Sequence, residues 1–223
     1  MQKMTIDDVA KQLGHNIALI QYDTVPLKTI NVGQKFLIDK TEYILLNKYD
    51  EPSDTPSRPF SRCMILLNNP TKMTVFGENN NFGTRIKDMK KDVGIKSESL
   101  LFYERTLCRL KGYVRERDVD LTADNGYCDY DGQKIHVAPL TLKEYQQYSV
   151  LIPKVDNNWW LATSNGTIST NSTSKVCCVD SNRNIIFMDC NEEALFRPAI
   201  LISGELPVVK ETILTTSALN STI

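Results

Sequence analysis

The period of apolar positions changes several times along the chain. Ile6, Val9, Ala10 and Leu13 recur at helical spacing behind Thr5, with Asp7 and Asp8 in the first turn and Gly14 as a stop. That predicts a short helix, either an arm docking on a neighbour or a helix packing on its own domain. From Thr24 the pattern becomes strand-like. Lys35–Ile38 and Thr41–Leu46 flank Asp39-Lys40, which predicts a hairpin. Further strands are expected at Cys63–Leu67 and Met73–Phe76, with a Pro- and Ser-rich surface loop from Asp50 to Arg58. Helices are expected at Thr84–Asp92 and at Ser97–Leu110, the second with Leu100, Leu101, Tyr103, Leu107 and Leu110 facing inward. Arg115 to Tyr130 is charged and reads mostly as loop.

The second half carries stronger signals. Ile135–Ala138 reads as a short strand. Thr141 caps a helix over Leu142–Tyr148, and Glu144 completes a capping box. Trp159–Thr163 reads as a strand, Ser174–Asp180 and Asn184–Cys190 as a hairpin, and Leu195–Ile202 as a final apolar strand. Alternation sends Trp159 and Trp160 to opposite faces, and a buried indole N–H needs an acceptor. Arg197, between Phe196 and Pro198, offers fixed donors that can pin loops. Trp159, Trp160, Arg197 and Pro198 are therefore read as structural anchors. The stretch after Pro207, rich in Ser and Thr, reads as a tail that is extended or ordered by a partner.

Bulk properties narrow the function. With 223 residues the chain fits one large domain with small extensions. A net charge of −1 gives no general attraction to nucleic acid, and no apolar run is long enough for a membrane helix. No secretion signal is legible, which points to a cytoplasm as the place of synthesis and assembly. Six cysteines without a Cys-x-x-Cys pair, and only two histidines, speak against zinc. Cys177, Cys178 and Cys190, the last able to approach Cys178 across the hairpin, are read as buried hydrophobes, and His136 as packed in the core or at an edge. Asp180, Asn182, Asn184 and their neighbours could offer oxygens to calcium. The same residue types form turns, so the expected cofactor set is none, with calcium possible but not favoured.

One run of motifs resembles a known family. It comprises Val137 to Tyr145, then Asn158-Trp159-Trp160-Leu161-Ala162-Thr163-Ser164, then Phe196-Arg197-Pro198-Ala199-Ile200-Leu201-Ile202. It is similar to a domain-of-unknown-function family of gut bacteria and their phages, marked by a Trp-Trp-Leu-Arg-Ser-Pro strand and a Val-Arg-Pro-Ala strand. Ala162-Thr163-Ser164 replaces Arg-Ser-Pro here, and Phe196 replaces Val. The resemblance implies an α+β, C-type-lectin-like domain of short antiparallel strands with two or three flanking helices, a fold shared with formylglycine-generating enzymes. The implied organisation is a helical arm (1–24), the domain (25–205) and a tail (206–223).

The function expected from this resemblance, from the missing secretion signal, from the lack of a catalytic motif and from the candidate docking segments at both ends is non-enzymatic: a phage virion protein acting as head decoration, fibre or tail-associated module. Its expected place is the virion, assembled in the host bacterial cytoplasm as part of a larger, oligomeric assembly. Its expected partners are other virion proteins or a host-surface glycan, with no nucleic acid and no membrane. Candidate binding residues are Ser164, Asn165, Thr167, Asn171, Asn182 and Arg183, on loops 164–174 and 180–184 that suit a binding surface and equally a tolerated surface loop. The alternatives are an enzyme of the formylglycine-generating type and a bacterial cell-surface glycan-binding protein.

Overall fold

In the computed structural model, which describes residues 19–50, 61–77, 95–128, 132–166 and 174–214, β2 (Lys35–Ile38) and β3 (Thr41–Asp50) form the expected hairpin. Asp39 and Lys40 both adopt left-handed backbone, φ 46° and 69°, as a two-residue turn that follows strand twist requires. The expected helices at Thr5–Leu13 and Thr84–Asp92, and the loop from 51 onward, lie outside the described residues.

Two sheets form the domain. The larger runs β1 (Leu19–Pro26), β15 (Pro207–Leu214), β2, β3, β4 (Ser61–Leu67), β14 (Ala199–Ser203) and β6 (Val114–Arg115), with β9 (Val137–Ala138) also paired to β14. The smaller runs β12 (Ile185–Asp189), β11 (Lys175–Val179), β10 (Trp159–Ser164), β13 (Glu193–Leu195) and β5 (Met73–Val75). A short ribbon joins β7 (Arg117–Val119) to β8 (Gln133–Ile135). Pairing is antiparallel except between β10 and β13. Two short α-helices, α1 (Ile95–Leu101) and α2 (Leu142–Tyr148), stand among the described residues. The result is a mostly antiparallel β domain compatible with the α+β class.

Strand alternation serves two cores at once. Tyr43, Leu45, Ile65, Trp160, Cys178 and Ile200 enter one, while Ile44, Leu66, Trp159, Leu161, Cys177 and Ala199 enter the other. Each of β3, β4, β10, β11 and β14 is therefore apolar on both faces, as in a sheet covered on both sides. Burial contributes about 1.5–3 kcal/mol per large aliphatic side chain.

Several expectations are corrected. The apolar run from Leu195 is not one strand and not the last. It breaks at Phe196-Arg197-Pro198, where Pro198 has no N–H for a ladder and Arg197 turns inward, and its halves join different sheets. The tail assigned from residue 206 begins instead with an eight-residue strand, β15, paired along its length with β1. Pro-Val-Val-Lys-Glu-Thr-Ile-Leu is rich in β-branched residues, and Val208 is buried. The boundary expected at 24/25 falls inside β1.

The helix expected at Ser97–Leu110 is α1, beginning at Ile95, followed by a π turn over Phe102–Thr106 in which Leu107 N–H donates to Phe102 O at 3.1 Å. Its buried positions are Ile95, Phe102 and Leu107, and Leu100, expected inside, is 54% exposed. The charged stretch after Val114 contains β7, whose Arg117 is buried. His136 separates β8 from β9, where the chain changes sheets.

Gly204 sits where the β14–β15 turn crosses β4. Its N–H donates to Ser61 O at 2.7 Å and its carbonyl accepts from Lys28 N–H at 2.8 Å. A Cβ there would overlap Ser61 Oγ and stand 3.0 Å from Ser61 O. Gly204→Ala is expected to lower stability by about 1–3 kcal/mol, read as a lower urea midpoint at unchanged slope.

Candidate functional site

β10 sets the scaffold of the site. Trp160 points into the first core, donates from Nε1 to Thr74 O at 2.8 Å and meets Phe76 edge-on at 5.5 Å. Trp159 points the other way, edge-on to Tyr145 at 5.6 Å. Arg197, fully buried at 0% exposure, lies over the Trp159 ring at 5.2 Å. It donates from Nε to Leu67 O at 2.9 Å, from Nη2 to Asn68 O at 2.7 Å and from Nη1 to Pro153 O at 3.2 Å. One guanidinium thus ties the end of β4 to the segment between α2 and β10. Burial lowers its pKa to about 10, still far above neutrality, so it stays charged.

α2 lies on this scaffold. Glu144 N–H donates to Thr141 Oγ1 at 3.2 Å and Thr141 N–H to Glu144 Oε2 at 2.8 Å, so the expected capping box is present. Leu142 N–H donates to Thr163 Oγ1 at 2.9 Å, which fixes the helix start to β10. At the other end, Tyr145 Oη donates to Arg183 O at 3.1 Å and holds the β11–β12 turn against the helix. Inside that turn one Asp180 carboxylate oxygen accepts from Asn182 N–H and Asn184 N–H, both at 2.8 Å, and Arg183 is left-handed at φ 71°. Between turn and helix lies a depression of about 310 Å³ lined by Tyr145, Gln146, Ser149, Val150 and Arg183, with Val150 83% exposed.

The sequence-predicted binding residues do not share one surface. Asn182 and Arg183 are exposed at the turn, beside the depression. Ser164, expected to open an exposed loop, is instead the last residue of β10 and is buried, its Oγ unpaired. The strand carries one step further than its polar side chain suggests, because Ser164 still pairs with Val176 past an irregularity in the ladder. Asn165 is half-buried and donates N–H to Lys175 O at 3.0 Å. Thr167 and Asn171 lie outside the described residues. Asn165 and the 180–184 turn sit at opposite ends of β11, a span of roughly 15 Å at about 3.3 Å per residue. Pro198 is buried beside Arg197. Nothing in the sequence singled out the rest of the lining, Gln146 near the end of α2 and Ser149 and Val150 in the 3-10 turn that follows it.

Cys63, Cys177, Cys178 and Cys190 are buried, while Cys108 and Cys128 are exposed. Burial, with a contribution from Asp124, pushes the Cys177 thiol up to about 12, and burial pushes Cys178 up as well. Two of the six thiols are therefore expected to react with a disulfide reagent in the native protein, and all six after unfolding. A thiol whose folded pKa is raised stabilises the fold below its unfolded pKa, and that contribution is lost as pH rises through the folded value. Stability should accordingly fall between about pH 9 and about pH 12 for Cys177, which denaturation at stepped pH will show. His136 stacks on Tyr103 at 4.5 Å. Among the described residues no three His, Cys, Asp or Glu side chains are grouped to hold a metal ion, and no helix is long and apolar enough to cross a membrane. Comparison with family models, curated proteins and solved structures finds no match for this chain.

Proposed function

We propose that this chain is a non-enzymatic virion protein of a bacteriophage, carrying a C-type-lectin-like domain that binds other virion proteins or the host surface. The observation that carries the reading is Arg197 stacked on Trp159 and bonded to three carbonyls of two segments. The residues that resemble the family motifs, Trp159-Trp160-Leu161 and Arg197-Pro198-Ala199, are the ones that lock the scaffold together. Their use is architectural, which supports a rigid presenting module over a reaction centre. The enzyme alternative leans on Cys177, Cys178 and Cys190, and all three are buried, with the first two held in the thiol form. The contact surface we assign is the rim where the 180–184 turn meets α2.

Quantitative mass spectrometry of purified particles tests this reading. A fixed copy number per particle supports it. Protein found in infected lysate but absent from particles would sink it. A Cys177→Ser, Cys178→Ser, Cys190→Ser variant that folds and still assembles would leave the enzyme alternative without a mechanism.

A further inference from the structure

A second set of polar side chains meets on the side of α2 that faces β3, away from the depression. The ladder between β3 and β4 is irregular between Leu45 and Asn47, and the end of β3 approaches the helix. Asn47 Nδ2 donates to Tyr148 Oη at 3.2 Å, and the Tyr49 and Tyr148 hydroxyls are hydrogen-bonded at 3.2 Å. Glu144 and Tyr148, four residues apart, share this face of the helix. Behind them Arg117 donates from Nη1 to Glu144 Oε1 at 3.2 Å and from Nη2 to Glu144 Oε2 at 3.3 Å, and from Nη2 to Pro139 O at 2.7 Å.

The cluster keeps unused hydrogen-bonding capacity. Glu144 accepts from Arg117 and from Thr141 N–H, yet Oε1 takes only one of these bonds, and its side chain is partly open to solvent. The Tyr49 hydroxyl has its Tyr148 bond and further capacity to donate or accept, and its residue is 37% exposed. Arg117, buried, keeps its Nε–H without an acceptor, a rare condition in a folded interior. Charge selects the ligand. The Arg117 cation is already matched by Glu144, so nothing net attracts an anion, and a carboxylate at the mouth repels one. A neutral ligand with several hydroxyls can donate to Glu144 and exchange bonds with Tyr49, while the exposed tyrosine ring offers a flat surface to the C–H face of a sugar.

We propose that Asn47, Tyr49, Glu144 and Tyr148 form a subsite for a neutral polyhydroxylated ligand, one sugar unit of a cell-surface glycan. The inference rests on the host-surface arm of the function proposed above.

The test uses the full chain on an array of bacterial surface oligosaccharides, with calorimetric titration of any positive, for the unaltered protein and for Tyr49→Ala, Tyr49→Phe and Arg183→Ala. Thermal melts confirm folding, and Tyr49→Phe, which removes a single hydroxyl at a part-exposed position, keeps the test open if the alanine variant unfolds. The expected result is binding weakened tenfold or more by Tyr49→Ala and about two- to tenfold by Tyr49→Phe. Affinity unchanged in both Tyr49 variants overturns the subsite, and loss in Arg183→Ala alone would then move the contact to the turn with the host-surface reading intact. No glycan binding by a protein found in particles also overturns the subsite, leaving protein partners as the ligand. No binding by a protein absent from particles overturns the subsite and the proposed function together.

Discussion

Replacing Arg197 by methionine should lower the free energy of unfolding by about 3–5 kcal/mol. The swap keeps a long flexible chain in place, so the cavity is small. What is lost is the set of donors that satisfies the carbonyls of Leu67, Asn68 and Pro153, together with the stacking on Trp159. Unpaired buried acceptors cost about 1–3 kcal/mol each, and relief of the buried cation offsets part of the sum. Lysine should not rescue it. A single ammonium cannot reproduce a planar fork whose three nitrogens reach two separate segments. Urea denaturation of both variants decides the matter: a methionine variant within about 1 kcal/mol of the parent would mean that these carbonyls find other partners.

Glu144→Ala should cost a similar amount, about 3–5 kcal/mol, for a different reason. Glu144 closes the capping box of α2 and is also the countercharge of buried Arg117. The cap alone accounts for about 1 kcal/mol. The larger share is an uncompensated cation, since desolvation is the main effect lowering the Arg117 pKa and Glu144 is the first to oppose it. A double-mutant cycle separates the two contributions. Adding Arg117→Met to Glu144→Ala should recover most of the loss, leaving the cap deficit. If the double variant is as unstable as the sum of the singles, the ion pair is not the cause.

Local chemistry made much of the fold legible in the sequence. Asp39-Lys40 between two alternating runs marked a hairpin, Thr141 and Glu144 marked a helix start, and the adjacent tryptophans implied opposite faces. Each of these signals acts within a few residues. The losses came where a distant partner decides. Pro198 beside Arg197 marks a break in the apolar run, but nothing local reveals that the two halves join different sheets. The strand after Pro207 needed β1, nearly the whole chain away, to become a strand. Ser164 looked like loop because polarity was taken for exposure, yet the ladder continues to it. The candidate sites were less legible still. The turn at Asn182 and Arg183 announces itself, but its neighbours on α2 do not, and the meeting of Asn47 and Tyr49 with Tyr148 depends on an irregularity in β3 that no residue pattern signals.

The pairing of β1 with β15 also sets how the domain would bear a pull. Leu19 and Leu214 are direct partners at one end of the ladder, and Pro26 and Pro207 close the other. The chain therefore enters and leaves the described fold at one corner. The inter-strand bonds lie across the strands, so a load applied between those two points opens them one rung after another rather than shearing them all at once. If the module is tethered through both flanking segments, tension would peel the outermost strand pair while the Trp159–Arg197 lock, which takes no part in that pair, stays unloaded.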